Sequence, residues 1–214
     1  MIISILNTKG GVGKSLIALN LAILRTMTKH KVLLIDGDRQ STIMQAVAQR
    51  ISVSATPPVS VAQFTVGNLL REQVQQARSK FEDIFIDAGG QDSTTLRAAL
   101  MVSDVVLIPF QPRSFDVWGV GDMSLLVKEA SSIRPGLRAY AVLNGADPRG
   151  TDNLAAAEAV AELEGIKYLD APIGRRKSFA EAAGSGLSVL EWKPRDMKAA
   201  YEIAKLFNSV FISC

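Results

Sequence analysis

Residues 8–15, TKGGVGKS, combine three glycines, two lysines and a serine at a spacing that suits phosphate binding. Glycine lets the backbone turn consecutive N–H groups inward around phosphate oxygens. In the loop pattern G-x-x-x-x-G-K-[ST], the final lysine contacts the outer phosphates and the hydroxyl residue binds Mg²⁺. The stretch therefore predicts a nucleoside triphosphate site with Mg²⁺, whose contacts come from Gly10, Gly11, Val12, Gly13, Lys14 and Ser15.

The start of this loop departs from the standard pattern. Thr8 stands where the pattern has its first glycine, and Lys9 adds a second lysine. From residue types alone, Lys9 is either a second nucleotide contact or a solvated lysine beside the loop.

Carboxylates at the ends of apolar runs supply further candidate site residues. Asp36 and Asp38 alternate in IDGDRQ, so one could brace the loop while the other reaches the attacking water. Asp87 ends the run IFID, the position of a Walker-B aspartate that holds magnesium directly or through water. We therefore predict a metal site at Ser15, Asp38 and Asp87. A strand-terminal aspartate can also be only a turn former, and that alternative stays open.

Alternating strands and helices must position these residues. Short apolar runs predict strands at 2–7, 31–36, 83–88, 105–110 and 139–144, with a weaker sixth at 167–173. Longer stretches predict helices near 15–28, 67–79, 93–102, 118–133, 152–164 and 195–211. The alternation predicts an α/β fold with an open, mostly parallel twisted sheet and helices on both faces. Because parallel strands end at one edge, the polar loops that follow them should converge on one site. The segment 51–66 gives no clear prediction.

Length and composition favour one globular domain over residues 1–214. Charged residues make up 21% of the chain, and the net charge of +3 permits a polyanionic partner without requiring one. Cys214 is the only cysteine, so one chain cannot form a disulfide framework or a cysteine-rich metal cluster. We expect a reducing, cytoplasmic location. No apolar run approaches the 18 residues of a membrane span.

The motifs KGGVGKS, LLIDGDRQ, FIDAGG and IPFQPRSFDVWG resemble the ParA/MinD family of P-loop ATPases, which have a deviant Walker-A loop. The size is similar to that of small ParA proteins of the ParF kind. In that family the extra lysine crosses a dimer interface to the partner's ATP, so the resemblance implies an intermolecular, nucleotide-binding role for Lys9. It also implies that Asp38 positions water, which makes Lys9, Lys14 and Asp38 the catalytic set.

The resemblance extends to the base and to two loops that differ from the family. It implies adenine contacts by Asn144 and Pro172, although Asn144 could equally be a turn residue before a glycine. Arg39 stands where the family usually has proline, and Gly89-Gly90 replaces a usual Pro-Pro pair. Both differences fall in loops that we expect to move on hydrolysis.

A late basic cluster is a candidate DNA surface. It contains Arg175, Arg176, Lys177 and Lys193, in a region where small ParA proteins contact DNA phosphates without reading sequence. Such contacts release counterions and make binding salt-dependent. An ordinary solvated basic face is the alternative. Arg113 and Arg149, near the nucleotide end, could instead serve a partner or a dimer interface.

These features together predict an ATPase that forms an ATP-dependent sandwich homodimer and binds nonspecific DNA. A ParB- or ParG-like adaptor bound to the cargo would stimulate hydrolysis, so that a plasmid, chromosome or other cargo is partitioned. The protein would be cytoplasmic and nucleoid-associated, with no membrane partner. A MinD-like positioning ATPase on a membrane and a P-loop metabolic ligase are the alternatives.

Overall fold

The computed structural model of the chain describes residues 1–90, 93–147 and 152–211. Arg149 and Cys214, which entered the sequence expectations, lie outside these ranges. Within them, seven parallel strands form one sheet in the order β3-β2-β4-β1-β5-β6-β7. The strands are β1 (Ile2–Asn7), β2 (Val32–Asp36), β3 (Ser60–Gln63), β4 (Asp83–Gly89), β5 (Val105–Phe110), β6 (Arg138–Ala146) and β7 (Lys167–Gly174).

Eight helices in the described ranges cover the two faces of this sheet. They are α1 (Lys14–Met27), α2 (Thr42–Ser52), α3 (Gly67–Ala77), α4 (Thr94–Val102), α5 (Ser114–Ile133), α6 (Asp152–Ala161), α7 (Lys177–Gly184) and α8 (Met197–Phe211). Helices α3 to α6 pack on one face, and α1, α2, α7 and α8 pack on the other. The two central strands β1 and β5 are buried along their whole length. Burial on both faces explains why their sequences are nearly continuous apolar runs.

The predicted α/β class with a parallel sheet is confirmed, and all six predicted strands are present. Three elements were missed in the sequence. Strand β3 has four residues and lies at the sheet edge with two exposed positions, so it lacks a long apolar run. Helix α2 follows directly on the polar DGDRQ loop, and α7 has only eight residues within the basic cluster. Short elements at an edge or beside polar loops carry little periodic signal.

Candidate functional site

The phosphate loop joins β1 to α1 at the carboxyl edge of the sheet. Gly11 and Gly13 have φ of 74° and 95°, a conformation that residues with a side chain rarely adopt. Gly13 caps α1, so the loop ends at a helix N-terminus with its N–H groups available to an anion. This backbone is the cradle that the glycine spacing predicts for the phosphates of a nucleotide.

Side chains from two neighbouring strands hold this loop in place. Asn144, on β6, donates from Nδ2 to the carbonyl oxygen of Val12 at 2.7 Å. Gln111, just after β5, donates from Nε2 to the carbonyl oxygen of Gly11 at 3.0 Å. A Cβ on Gly13 would collide with the Asn144 amide, so the glycine also makes room for this brace.

The two residues predicted to contact adenine, Asn144 and Pro172, have different surroundings in the structure. The Asn144 amide donates to the backbone of the phosphate loop. Pro172 lies half-buried in β7, near the place where the register between β6 and β7 shifts. Their roles toward a base remain predictions.

Lys14 lies beneath the loop with only 8% of its surface exposed. Its ammonium donates to the carbonyl oxygen of Lys9 at 2.8 Å. Burial lowers the pKa of Lys14, and the negative charges of Asp87 and Asp38 oppose that shift. A desolvated ammonium at the head of a glycine loop is a strong electrostatic partner for phosphate oxygens.

Gly89, at the end of β4, makes room for this lysine. A Cβ on Gly89 would lie 2.8 Å from Lys14 Nζ and would collide with the Cε atom. The glycine that replaces the family's usual proline is thus part of the wall that positions Lys14.

Asp87 is a buried carboxylate with spare bonding capacity. The Ser15 hydroxyl lies close enough to lower the pKa of this carboxyl group, while Oδ2 has no hydrogen-bond partner. Burial raises the pKa of Asp87 to about 7, and the nearby Ser15 hydroxyl and the Lys14 charge oppose this shift. A hydroxyl beside an unpartnered carboxylate oxygen suits Mg²⁺, which prefers oxygen ligands. Ser15 and Asp87 therefore fit the predicted metal.

The Asp36 and Asp38 pair divides its tasks. Asp36 is fully buried and accepts the N–H groups of Asp38 and Met44 at 3.0 and 3.1 Å. Burial raises its pKa, and these backbone hydrogen bonds counter the shift. Asp38 is half-buried, and its carboxylate accepts the N–H of Gln40. Asp36 is thus the brace, and Asp38 is the one of the two with a solvent-accessible surface.

Lys9 contrasts with Lys14 because its side chain is exposed. Its backbone N–H donates to Oδ1 of the buried Asn7 at 2.8 Å. Asn7 in turn donates from Nδ2 to the carbonyl oxygen of Pro109 at 2.8 Å. The sequence predictions included neither Asn7 nor Gln111, although both stand at strand ends. That position was the signal that could have identified them.

The basic cluster is divided by an ion pair. Arg175, Lys177 and Lys193 are exposed. Arg176 instead pairs with Glu202 of α8, with Nη2 2.5 Å from Oε1 and Nε 3.1 Å from Oε2. This pairing raises the pKa of Arg176 and offsets its charge. The positive charge that faces solvent therefore comes from the other three residues of the cluster.

Comparison with known proteins places this geometry among nucleotide-binding domains. Residues 3–189 match the model of the CobQ/CobB/MinD/ParA nucleotide binding domain family. The chain is 28% identical, over 99% of its length and 96% of the relative's, to "Maintenance of carboxysome distribution protein A" of Halothiobacillus neapolitanus.

Two solved structures share the fold across nearly the whole chain. A putative plasmid partition protein from Borrelia burgdorferi bound to AMPPNP superposes with a TM-score of 0.77 at 19% identity, covering 98% of this chain and 99% of that one. The septum site-determining protein MinD from Pyrococcus horikoshii, complexed with Mg-ADP, gives a TM-score of 0.78 at 19% identity, with 98% and 95% covered.

Proposed function

Because the chain belongs to the CobQ/CobB/MinD/ParA nucleotide-binding family, we propose that it is an ATPase that positions a cargo through ATP-dependent dimerisation. Its cofactors are ATP and Mg²⁺, in line with the nucleotides named for two structures of the same fold. The observation that carries the proposal is the separation of the two loop lysines. Lys14 is buried under the loop, whereas Lys9 is exposed at its edge.

The phosphate end of the site supports nucleotide hydrolysis. The loop N–H groups and Lys14 bind the phosphates, and Ser15 with Asp87 would hold Mg²⁺, which supplies positive charge against the developing negative charge. Asp38 lies close enough to affect the pKa of Lys14 and is open to solvent, so it can orient the attacking water. Asp36 fixes the backbone of the Asp38 loop.

Lys9 would link hydrolysis to assembly. Two ATP molecules facing each other across a dimer concentrate negative charge, and a lysine from each subunit offsets their repulsion. Because that contact favours the triphosphate, the dimer should form with ATP and separate after hydrolysis.

Nonspecific DNA is the proposed surface on which this dimer works, in the cytoplasm at the nucleoid. Arg175, Lys177 and Lys193 offer three exposed cations for phosphates, and Arg176 orders the loop before α7 through Glu202. Doubling this surface in a dimer would make DNA binding depend on ATP.

The cargo would be attached through a ParB- or ParG-like adaptor that stimulates hydrolysis. Similar proteins carry names for carboxysome distribution and plasmid partition. We infer that this chain positions a large assembly of that general kind.

Packing of the last helix favours DNA over a membrane surface. The apolar side of α8, including Ile203, Leu206 and Phe207, is buried against the sheet. An interfacial membrane helix needs such a face to be free. Among the helices of the described residues, none combines the length and apolarity needed to cross a bilayer.

Nucleotide-dependent DNA binding tests the proposal. We expect binding with ATP and little with ADP, and we expect Lys14→Ala to abolish it because nucleotide is no longer held. Replacing Arg175 and Lys177 together by alanine removes four cations from the dimer. The slope of log K against log salt concentration should therefore become less steep by about 3.6, since about 0.9 counterion is released per phosphate contact.

A matched control removes two exposed cations elsewhere. Arg71 and Lys80, on and after α3, lie on the other side of the sheet from α7. Their replacement by alanine should leave the salt dependence unchanged. DNA binding that is equal with ATP and ADP and insensitive to Lys14→Ala would refute the proposal, whereas ATP-dependent sedimentation with anionic liposomes would favour a membrane role.

A further inference from the structure

We propose that Gly119 of α5 is a positioning residue for Lys9, holding the lysine stem against the helix so that its ammonium is presented outward. This inference rests on the proposed role of Lys9 at a dimer interface. The carrying observation is a close approach between the lysine and the helix backbone. A Cβ on Gly119 would lie only 2.6 Å from Lys9 Cγ and 3.4 Å from Cε.

The backbone of Lys9 is fixed at both of its polar groups. Its N–H donates to Asn7 at 2.8 Å, and its carbonyl accepts the Lys14 ammonium at 2.8 Å. With the backbone held, the direction of the side chain depends on what the stem packs against. That surface is the first part of α5, where Gly119 is buried.

A glycine at this place in a helix calls for a reason. Glycine in a helix interior is less favourable than alanine because it loses more conformational freedom on folding. Gly121, two residues further along α5, has no atom within 4 Å of the place where a Cβ would be. Of the two, only Gly119 has neighbours at that place, Lys9 Cγ at 2.6 Å and, at 3.4 Å each, Lys9 Cε and Asn7 Oδ1.

Ordering of the Lys9 side chain before dimerisation would reduce the entropy that is lost when the dimer forms. A free lysine side chain loses rotamer freedom when it is fixed at an interface, which weakens association. In the described part of the chain no acidic side chain pairs with the Lys9 ammonium. Packing on Gly119 orders the stem and leaves the charge available to a second subunit.

Thermal unfolding of the nucleotide-free protein tests the contact itself. Gly121→Ala should raise the Tm by about 2–4 °C, the effect of helix propensity in a chain of this size. Gly119→Ala should give no such gain, because the new methyl group meets Lys9 Cγ. In a Lys9→Ala background that atom is gone, and Gly119→Ala should then raise the Tm as Gly121→Ala does. Equal effects of the two glycine substitutions in the wild-type background would overturn the inference.

Dimerisation tests the function of the contact. Sedimentation velocity with ATP and with ADP should show that Lys9→Ala loses the ATP-dependent dimer. Gly119→Ala should weaken that dimer by about 4- to 100-fold, since two long side chains, one from each subunit, must then be ordered on binding at about 2- to 10-fold each. Its affinity for a fluorescent ADP analogue should remain that of the wild type, as should both properties of Gly121→Ala.

The outcomes separate this inference from the proposed function. If Lys9→Ala abolishes the dimer but Gly119→Ala dimerises like the wild type, Gly119 is not a positioning residue and the role of Lys9 stands. If Lys9→Ala dimerises normally, Lys9 has no interface role, and both ideas are refuted. Loss of ADP affinity in Gly119→Ala would also overturn the inference, because it would place the effect in the nucleotide cradle.

Discussion

Replacing Asp87 by asparagine should stabilise the protein at neutral pH when nucleotide and metal are absent. The carboxyl group is 1% exposed, and one of its oxygens has no hydrogen-bond partner. Ionising it there is unfavourable because water is excluded. Asparagine keeps a similar shape and removes the charge.

The size of the effect follows from the pKa. Burial raises the pKa of Asp87 from 3.8 to about 7. At about 1.36 kcal/mol per unit, the ionised group lowers the free energy of unfolding by about 4 kcal/mol above pH 7. Between the two pKa values the folded protein holds a proton that the unfolded chain releases. The contribution of Asp87 to the free energy of unfolding should therefore fall as pH rises from about 4 to about 7 and then level off.

Urea unfolding in EDTA at pH values from 5 to 8 measures this difference. The gain in unfolding free energy for Asp87→Asn should increase with pH up to about 7 and then remain constant. Asp122→Asn removes an exposed carboxylate on α5 and should follow the wild-type curve. With Mg²⁺ and ATP the order should reverse, because the wild type alone gains the metal contact. A gain that does not change with pH would refute the assignment of an uncompensated buried carboxyl group to Asp87.

Two further substitutions test the walls of the site and its support. Gly89→Ala should lower nucleotide affinity about 10- to 100-fold, because the new methyl group displaces the Lys14 ammonium and one hydrogen bond to a charged group is lost. Nucleotide titration measures this loss. The control Gly136→Ala, which has open space around the new methyl group, should bind nucleotide normally. Glu191→Ala should lower the free energy of unfolding by about 3–5 kcal/mol, because the buried Arg50 guanidinium loses the carboxylate that it pairs with at 2.8 and 2.9 Å. An unchanged free energy of unfolding in urea would contradict this account.

The fold could be predicted from the sequence wherever a signal was local. Strands buried on both faces must be apolar throughout, so the runs at 2–7 and 105–110 could be identified without any knowledge of their neighbours. Strand β3 could not, because its four residues gain their strand conformation from pairing with β2 at the sheet edge. Helix α7 was hidden because only part of one side is buried.

In the candidate site, too, features that depend on neighbouring residues could be predicted from the sequence, whereas contacts between distant residues could not. The sequence alone predicted the loop at residues 8–15 as a phosphate site, because that prediction needs only the backbone freedom of its glycines and the spacing of Lys14 within eight residues. It also indicated that Asp36, Asp38 and Asp87 meet, since parallel strands end at one edge.

Only the tertiary structure decided how these residues share the work. Asp36 became the brace because α2 brings the N–H of Met44 to it. The charge of Arg176 is offset within the protein, and so is lost to the basic surface, because α8 places Glu202 beside it. Gly119 could be linked to Lys9 only when α5 lay against the loop. Such contacts join residues that are far apart in the chain. Their distances depend on how helices and strands pack together, and this packing cannot be inferred from the residue types and spacing of one short segment.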